Sequence, residues 1–465
     1  MQHSIFDWIK AISRKLIFML SALMPRSENK ALFGSYKEGF CDNSKYLYLH
    51  WQQTEFIRCI WISGNRDVIK QLQSQNREVY YRWSMKGIFH ALTAKYYFYN
   101  SYIGDINQWL ANGAQKINLW HGLPMKKIEF DINTGPMAQV FNPKGKLATC
   151  KQWLFAHQQH ITPDLMLSPS ELIDTLFSSA FKLDSSQLLR ATNPRTDYYT
   201  LYSNKHSSMH SSKNSKQDSN QDSSKHLSQR SSQCPSEAQS LDILFGENTS
   251  STLRTNREQA IRSGISPTIS PSIILYVPSW RDSHQEGNPY AKAFDWQRLS
   301  DHLVANNQLF LLRLHPNEAS LADELTSYVN IINISQFEDV YGFLKDVDQL
   351  ITDYSSLFID ALPLGTPICF YRFDEQHYQQ DCRDMYEYAE KLPDIAPKCT
   401  DFDELLEQLA PEAIAKQKSN AINGEQRAEQ KSYKKNYQAV TELFWGKDTP
   451  NAFEALEEII IKRRT

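Results

Sequence analysis

Gln349-Leu-Ile-Thr-Asp-Tyr-Ser-Ser-Leu-Phe-Ile-Asp-Ala-Leu362 is the stretch that decides how the chain is read. An apolar run reaches Thr352 and Asp353 as a buried strand, and a helix opens near Ser355 and Ser356. The first turn of a helix offers backbone N–H groups without intrahelical partners, and two hydroxyls beside them make a place for an anion. Gly365 and Pro367 end the helix, and Pro363 distorts it one turn earlier. Ordinary N-capping explains one serine; it leaves the run from Asp353 to Ser356 at the strand's end unexplained. A strand, a polar turn and a helix form the unit of a parallel α/β sheet, whose ligands bind beyond the carboxyl ends of the strands.

The same rhythm continues on both sides. Ser272–Val277, Leu309–Leu314, Val329–Ile334 and Pro367–Tyr371 are further strands of this half. Earlier in the chain, Ala31–Tyr36, Ile57–Ser63, Val79–Arg82, Lys95–Asn100, Ile117–Trp120 and Leu165–Ser168 form a second series. Between the two series the composition changes. From about Ser203 to Ser240, Ser, Gln, Lys, His and Asn dominate, a composition that buries too little surface to order and reads as a disordered insertion. The expected plan is an N-terminal helix over 1–30, one α/β half over 31–202, the insertion and linker over 203–255, a second half over 256–445 and a helical tail over 446–465.

Bulk properties agree. A length of 465 residues exceeds what one core usually serves, and 41% hydrophobic with 12% aromatic residues excludes wholesale disorder. A net charge of −3 provides no basic field, so no nucleic-acid polymer is expected as a partner. The 7 cysteines form no CxxC pair and read as reduced thiols. His157-Gln-Gln-His160 has no Glu or Cys set beside it, so no metal site is expected. Neither a dinucleotide fingerprint nor a P-loop occurs.

In the first segment Ile5, Trp8, Ile9, Ile12, Leu16, Met19, Leu20 and Leu23 recur at helical spacing, beside Lys10, Arg14, Lys15 and Arg26. The uninterrupted run from Leu16 to Met24 is shorter than the roughly 20 residues that span a bilayer. Two readings stay open: a basic amphipathic helix on an anionic membrane surface, or a helix packed on the protein's own body.

Three more constellations sit at strand ends. Asn118-Leu-Trp-His-Gly-Leu-Pro-Met-Lys-Lys127 places His121, suited to accept a proton near neutral pH, before Gly122, which permits close approach, and the cations Lys126 and Lys127. Tyr276-Val-Pro-Ser-Trp-Arg-Asp282 places the planar fork of Arg281 just past a strand, where it matches phosphate oxygens or forms an ordinary pair with Asp282. Leu312-Arg-Leu-His-Pro316 projects His315 at the sheet's rim, able to donate a hydrogen bond to a phosphate or leaving group, or to serve structure alone.

Together these blocks resemble the CDP-glycerol glycerophosphotransferase family, which includes teichoic-acid primases and polymerases and related capsule enzymes. Its hallmarks look like Trp-His-Gly-Thr-Pro-x-Lys-Lys, Pro-Thr-Trp-Arg, Leu-His-Pro and Ser-Asp-Tyr-Ser-Ser. Trp120–Lys127, Pro278–Arg281, Leu314–Pro316 and Thr352–Ser356 follow in that order. Phe33-Gly-Ser35, Asp42-Asn43, Ala94-Lys-Tyr96, Asn100, Pro194-Arg-Thr-Asp197 and Phe370-Tyr371 with Asp374 are weaker echoes. Leu123, Thr352 and Asn193 depart from the pattern, as does Arg383-Asp384 where an Arg-Gly pair is usual.

The resemblance implies a GT-B-like fold, two Rossmann-type domains facing across a cleft, the first for the acceptor and the second for a CDP-linked donor. It implies attack of an acceptor hydroxyl on the distal phosphorus of CDP-glycerol or another CDP-polyol, with CMP leaving. The base is expected at His121, and Arg281, His315, Ser355 and Ser356 are expected to hold the donor. Gly122, Lys126, Thr352 and Asp353 complete the expected contacts. No cofactor is expected, the CDP-linked donor being a substrate. The acceptor is expected to be lipid-linked or a glycan, and the location the inner, cytoplasmic face of the membrane, peripherally bound. Two alternatives remain: a GT-B glycosyltransferase using a CMP-sugar or other nucleotide-sugar, and a non-catalytic membrane-surface assembly protein.

Overall fold

The computed structural model describes residues 4–201, 271–281, 288–315, 317–325, 327–337, 339–381, 384–423 and 428–464. The Ser-rich insertion, Asp282, Pro316 and Arg383 lie outside them.

The first sheet contains β1 (Ser27–Phe33), β2 (Arg58–Ser63), β3 (Val79–Tyr81), β4 (Ala94–Tyr99), β5 (Gln115–Asn118), β6 (Leu165–Ser168) and β7 (Leu188–Arg190). Its order is β3-β2-β1-β4-β5-β6-β7, with parallel pairing throughout. The second contains β8 (Ser272–Tyr276), β9 (Gln308–Leu312), β10 (Ile331–Asn333), β11 (Gln349–Thr352), β12 (Ile368–Tyr371) and β13 (Lys398–Cys399). Its order is β10-β9-β8-β11-β12-β13, again parallel.

Strand period explains why these runs are apolar at nearly every position. On β4, Tyr96 and Phe98 enter one core while Tyr97 and Tyr99 enter another on the opposite face. On β8, Ile273 and Leu275 face one layer and Ile274 and Tyr276 the other. Two-sided burial therefore replaces the alternation expected of a half-exposed strand. In both sheets the chain order reverses beside the first strand, between β1 and β4 and between β8 and β11, and ligand crevices form at such switch points.

The halves are joined through packing as well as polar contacts. Trp120, Leu123 and Met125 of the first half share a core with Leu357 and Phe358 of the second. The tail does not end as an appendage. The helix Ala428–Trp445 packs on the second domain, where Trp445 Nε1 donates to the Ile359 carbonyl at 2.8 Å, and also against the first-domain helix Glu171–Phe181. Gly446, at φ +70°, turns the chain where an added Cβ would stand 2.6 Å from the Pro169 carbonyl oxygen. The helix Ala452–Arg464 then returns to the first domain, burying Phe453, Leu456 and Ile460 in its core.

The N-terminal helix, α1 (Ile5–Ser21), starts with a capping box between Ser4 and Asp7. It turns Ala11 and Ser21 inward and sets Phe18 against His157, but Ile5, Ile9, Ile12, Leu16 and Leu20 remain exposed.

Candidate active site

Each loop that matters leaves the carboxyl end of a strand. In the first domain, the loop after β5 is pinned by asparagines. Asn118 Oδ1 accepts from the Trp120 N–H at 2.8 Å, and Asn43 Nδ2 donates to the Leu119 and Trp120 carbonyls at 3.2 and 2.8 Å. These bonds hold Trp120 at φ +52° and fix the direction in which His121 leaves the loop.

His121 Nδ1 lies 3.0 Å from the Asn100 carbonyl. A carbonyl only accepts, so in the neutral ring Nδ1 carries the proton and Nε2 the lone pair. Solvent reaches the ring through the cleft, yet both domains surround it. That burial holds its pKa below the ordinary histidine value; Asp42 and the Asn100 carbonyl oppose the shift and Arg195 reinforces it. Neutral His121 is thus a base at neutral pH.

In the second domain, His315 follows β9 and stacks on Trp280, with ring centroids 5.1 Å apart. Its Nδ1 accepts from the Asn317 N–H at 3.2 Å, which leaves Nε2 of the neutral ring protonated. The two histidines therefore hold opposite tautomers: one is arranged to take a proton and the other to donate a hydrogen bond.

Both line one cavity of about 510 Å³ between the domains, together with Ser355, Ser356, Arg313 and Tyr341. A Cβ added to Gly122 would stand 3.4 Å from Ser356 Oγ, so the loops of the two domains meet there. The helix after the serines is a single short piece, Leu357–Ala361, followed by a 3-10 turn to Leu364 and by Gly365 at φ +67°. Ser356 makes no side-chain cap to it, while Ser355 Oγ accepts from the Leu357 N–H at 3.4 Å.

The other expected residues lie elsewhere. Arg281 is 4% exposed and bound by two carboxylates. Its Nε and Nη2 donate to Asp374 at 3.0 and 2.8 Å, and its Nη1 to Asp353 and to the Ser279 carbonyl. Burial opposes the cation, but Asp353 and then Asp374 outweigh it and raise its pKa. The fork expected to meet phosphate is filled by protein oxygens, so Arg281 and Asp353 stand behind the interdomain cavity rather than lining it, while Asp353 borders a separate cavity, the one that Lys127 lines. Thr352 is also buried, donating to the Val277 carbonyl at 2.7 Å. Lys126 lies 4.7 Å over the Tyr378 ring, and its backbone bridges to Met385. Its neighbour Lys127 lines a second cavity of about 790 Å³, with Tyr354, Arg372 and Asp384.

Two arginines not named among the expected site residues join the picture. Arg313 lines the shared cavity and donates from Nε to the Phe337 carbonyl at 3.4 Å. Among the described residues it makes no ion pair, and burial lowers its pKa. Arg195 is 0% exposed and ties the domains together. It grips Asp360 bidentately at 2.7–3.0 Å, reaches Asp42 at 2.7 Å and the His121 carbonyl at 2.9 Å, and lies 4.0 Å over the Tyr341 ring. It thus fixes the His121 loop against the helix that begins at the serines. Among the described residues, no group of three His, Cys, Asp or Glu could hold a metal ion.

Two Rossmann-type domains closing on a cavity that carries a base, a hydrogen-bond donor, two hydroxyls and a guanidinium define a GT-B-like transferase acting on a phosphate-bearing ligand. The family model for CDP-glycerol:poly(glycerophosphate) glycerophosphotransferases matches residues 16–221 and 241–442, and the chain belongs to that family of phosphotransferases. It is 24% identical over 404 residues to a teichoic acid glycerol-phosphate transferase of Staphylococcus aureus, covering 84% of either chain. It is 26% identical over 391 residues to a teichoic acid poly(glycerol phosphate) polymerase of Bacillus spizizenii, covering 81% of this chain and 82% of that one. A solved structure of the wall teichoic acid polymerase TagF, a variant soaked with CDPG, shares the fold with a TM-score of 0.67 at 20% identity, over 98% of this chain and 93% of the other.

Proposed function

We propose that the chain transfers glycerol phosphate from CDP-glycerol to an acceptor hydroxyl, releasing CMP, in the assembly of a teichoic-acid-type polymer. The observation that carries this reading is the pair of histidines in opposite tautomers across one interdomain cavity. His121 Nε2 takes the proton of the attacking hydroxyl as its oxygen bonds to the distal phosphorus. The bond from that phosphorus to the bridging oxygen breaks, and its electron pair leaves with CMP. His315 Nε2–H, the Ser355 and Ser356 hydroxyls and Arg313 stabilise the charge on the phosphate oxygens. Catalysis of this kind rests on positioning and charge stabilisation. Glycerol is favoured as the polyol because both long relatives carry glycerol phosphate in their names.

The test is CMP release from CDP-glycerol. His121→Ala is expected to lower turnover by about 10²–10⁴, the usual share of a general base, while calorimetry still registers donor binding. Undiminished turnover removes the assigned base. A CMP-sugar that alone supports turnover moves the chain to the glycosyltransferases.

The reading extends to a membrane surface, where a lipid-linked acceptor resides. The support is the outward apolar face of α1, continued by exposed Leu23, Met137, Leu147 and Trp153. An ordinary surface helix turns that face to the core. Among the described residues no helix is long and apolar enough to cross a membrane, so the mode proposed is peripheral.

A further inference from the structure

We propose that the cavity beneath α1 is a site for the phosphate headgroup of an anionic diacyl phospholipid, entered from the bilayer. The inference rests on the membrane-surface reading and deepens it, from a greasy face to a defined pocket. The cavity measures about 560 Å³, within the usual range of small-ligand sites, about 300–1,000 Å³. Its walls are Lys10, Ala11 and Arg14 of α1, Trp109, and the segment Leu154–Gln159.

The helix presents three different faces. Ala11 and Phe18 point to the body, Ile9, Ile12, Leu16 and Leu20 point to solvent, and Lys10 and Arg14 open onto the cavity between them. Cations therefore stand at the edge of the apolar face, at the depth where the phosphate of a lipid lies when acyl chains cover the apolar residues.

Charge in the pocket is unbalanced. Among the described residues Lys10 and Arg14 make no ion pair, and Arg14 rests 5.3 Å over the Trp109 ring. Lys15, one residue on, sits 3.8 Å over Trp153 with its ammonium 2.9 Å from His157 Nδ1. Burial pushes the Lys15 pKa down to about 8. Burial, and then the charge of Lys15, lowers His157 to about 4, so that ring is neutral and accepts from the ammonium. The acid on the wall, Asp7, is bonded to the Ser4 amide and hydroxyl at 3.0 and 2.8 Å. Cations over aromatic rings, with one acid already bound in a cap, form a site that an anion completes.

The neighbourhood selects a lipid over a free anion. Met137 lines the cavity and is exposed, Trp153 is exposed next to the lining residue Leu154, and Leu147 on the same helix, Lys146–Phe155, is 89% exposed. Free phosphate gains nothing from these residues, whereas acyl chains cover them.

The test uses the full chain. Sedimentation with vesicles of phosphatidylcholine, with and without phosphatidylglycerol, is compared with calorimetry of dihexanoyl-phosphatidylglycerol below its micelle concentration and of inorganic phosphate. Lys10→Gln/Arg14→Gln is expected to weaken binding to phosphatidylglycerol vesicles by about twenty-five-fold, about fivefold per cation, and to leave binding to neutral vesicles unchanged. It should also abolish binding of the short-chain lipid. Ala11→Trp, which fills the cavity and keeps the charges, should do the same. Full affinity of both variants for phosphatidylglycerol vesicles overturns the proposal, as does inorganic phosphate binding as tightly as the short-chain lipid. Leu16→Ser/Leu20→Ser separates the two readings: it should lose all vesicles yet keep the short-chain lipid. Wild-type protein that binds the short-chain lipid but no vesicle would sink the membrane-surface reading and leave the pocket standing.

Discussion

Two turns leave neighbouring strands of one sheet, each with an arginine, and use it in opposite ways. After β8, Arg281 folds back between Asp353 and Asp374 and vanishes from the surface. After β9, Arg313 opens on the interdomain cavity, with the Phe337 carbonyl as its hydrogen-bond partner and no ion pair among the described residues. Both sit where α/β sheets bind ligands, so position alone does not tell them apart. Counting partners does. A guanidinium has five N–H donors, and one that spends four contacts on two carboxylates and a carbonyl has little left for a phosphate. A cation that burial has already destabilised gains from the arrival of an anion.

Substitution should split the pair. Arg281→Ala strands Asp353, 1% exposed, without its counter-ion and should cost about 3–5 kcal/mol of unfolding free energy in urea titrations. If stability holds and donor affinity falls instead, Arg281 is the phosphate ligand and the contrast reverses. Arg195 extends the comparison to a cation that serves position. Arg195→Lys keeps the charge but cannot span Asp360, Asp42 and the His121 carbonyl at once. It should lower kcat by about a hundredfold, as expected for a base displaced by about 1 Å, while the KM for the donor changes little. A loss confined to KM would instead make Arg195 part of donor binding. Arg313→Ala should weaken CDP-glycerol binding by on the order of tenfold, the weight of one charge-assisted hydrogen bond, with the urea midpoint unmoved.

What the sequence made legible follows the same division between place and partners. Nine of the thirteen strands are matched by apolar runs fully or largely at the expected positions, and β5 lies two residues earlier than its run. β7 and β13, of three and two residues, carry too little pattern to be read; β1 begins earlier than expected, at Ser27. The strand ends also brought His121, His315, Ser355 and Ser356 into view, and these share a cavity. What failed to show is long-range. Arg195 was visible in Pro194-Arg-Thr-Asp197, but its role depends on Asp360, 165 residues away. The return of Ala452–Arg464 to the first domain is equally opaque, since amphipathic spacing does not say which core receives it. Arg313 could have been found: it lies two residues before His315, and positions two apart past a strand share a face.

The smallest effect tests the electrostatics around the base. Burial holds His121 below the ordinary histidine pKa, and Asp42 is the largest influence in the opposite direction. Asp42 is itself raised by burial, against the pull of Arg195 and His121. With His121 as the proposed base, activity requires the neutral imidazole, so kcat/KM should fall as pH drops through the His121 pKa, with the acid limb below about 6.5. Asp42→Asn removes the charge that favours the imidazolium and leaves that of Arg195, which disfavours it. That loss lowers the His121 pKa further. The acid limb should therefore move to lower pH, while the plateau falls only as far as Arg195 shifts. An acid limb that stays in place would mean that Asp42 acts on Arg195 alone, and one that moves to higher pH would mean that His121 is not the group being titrated.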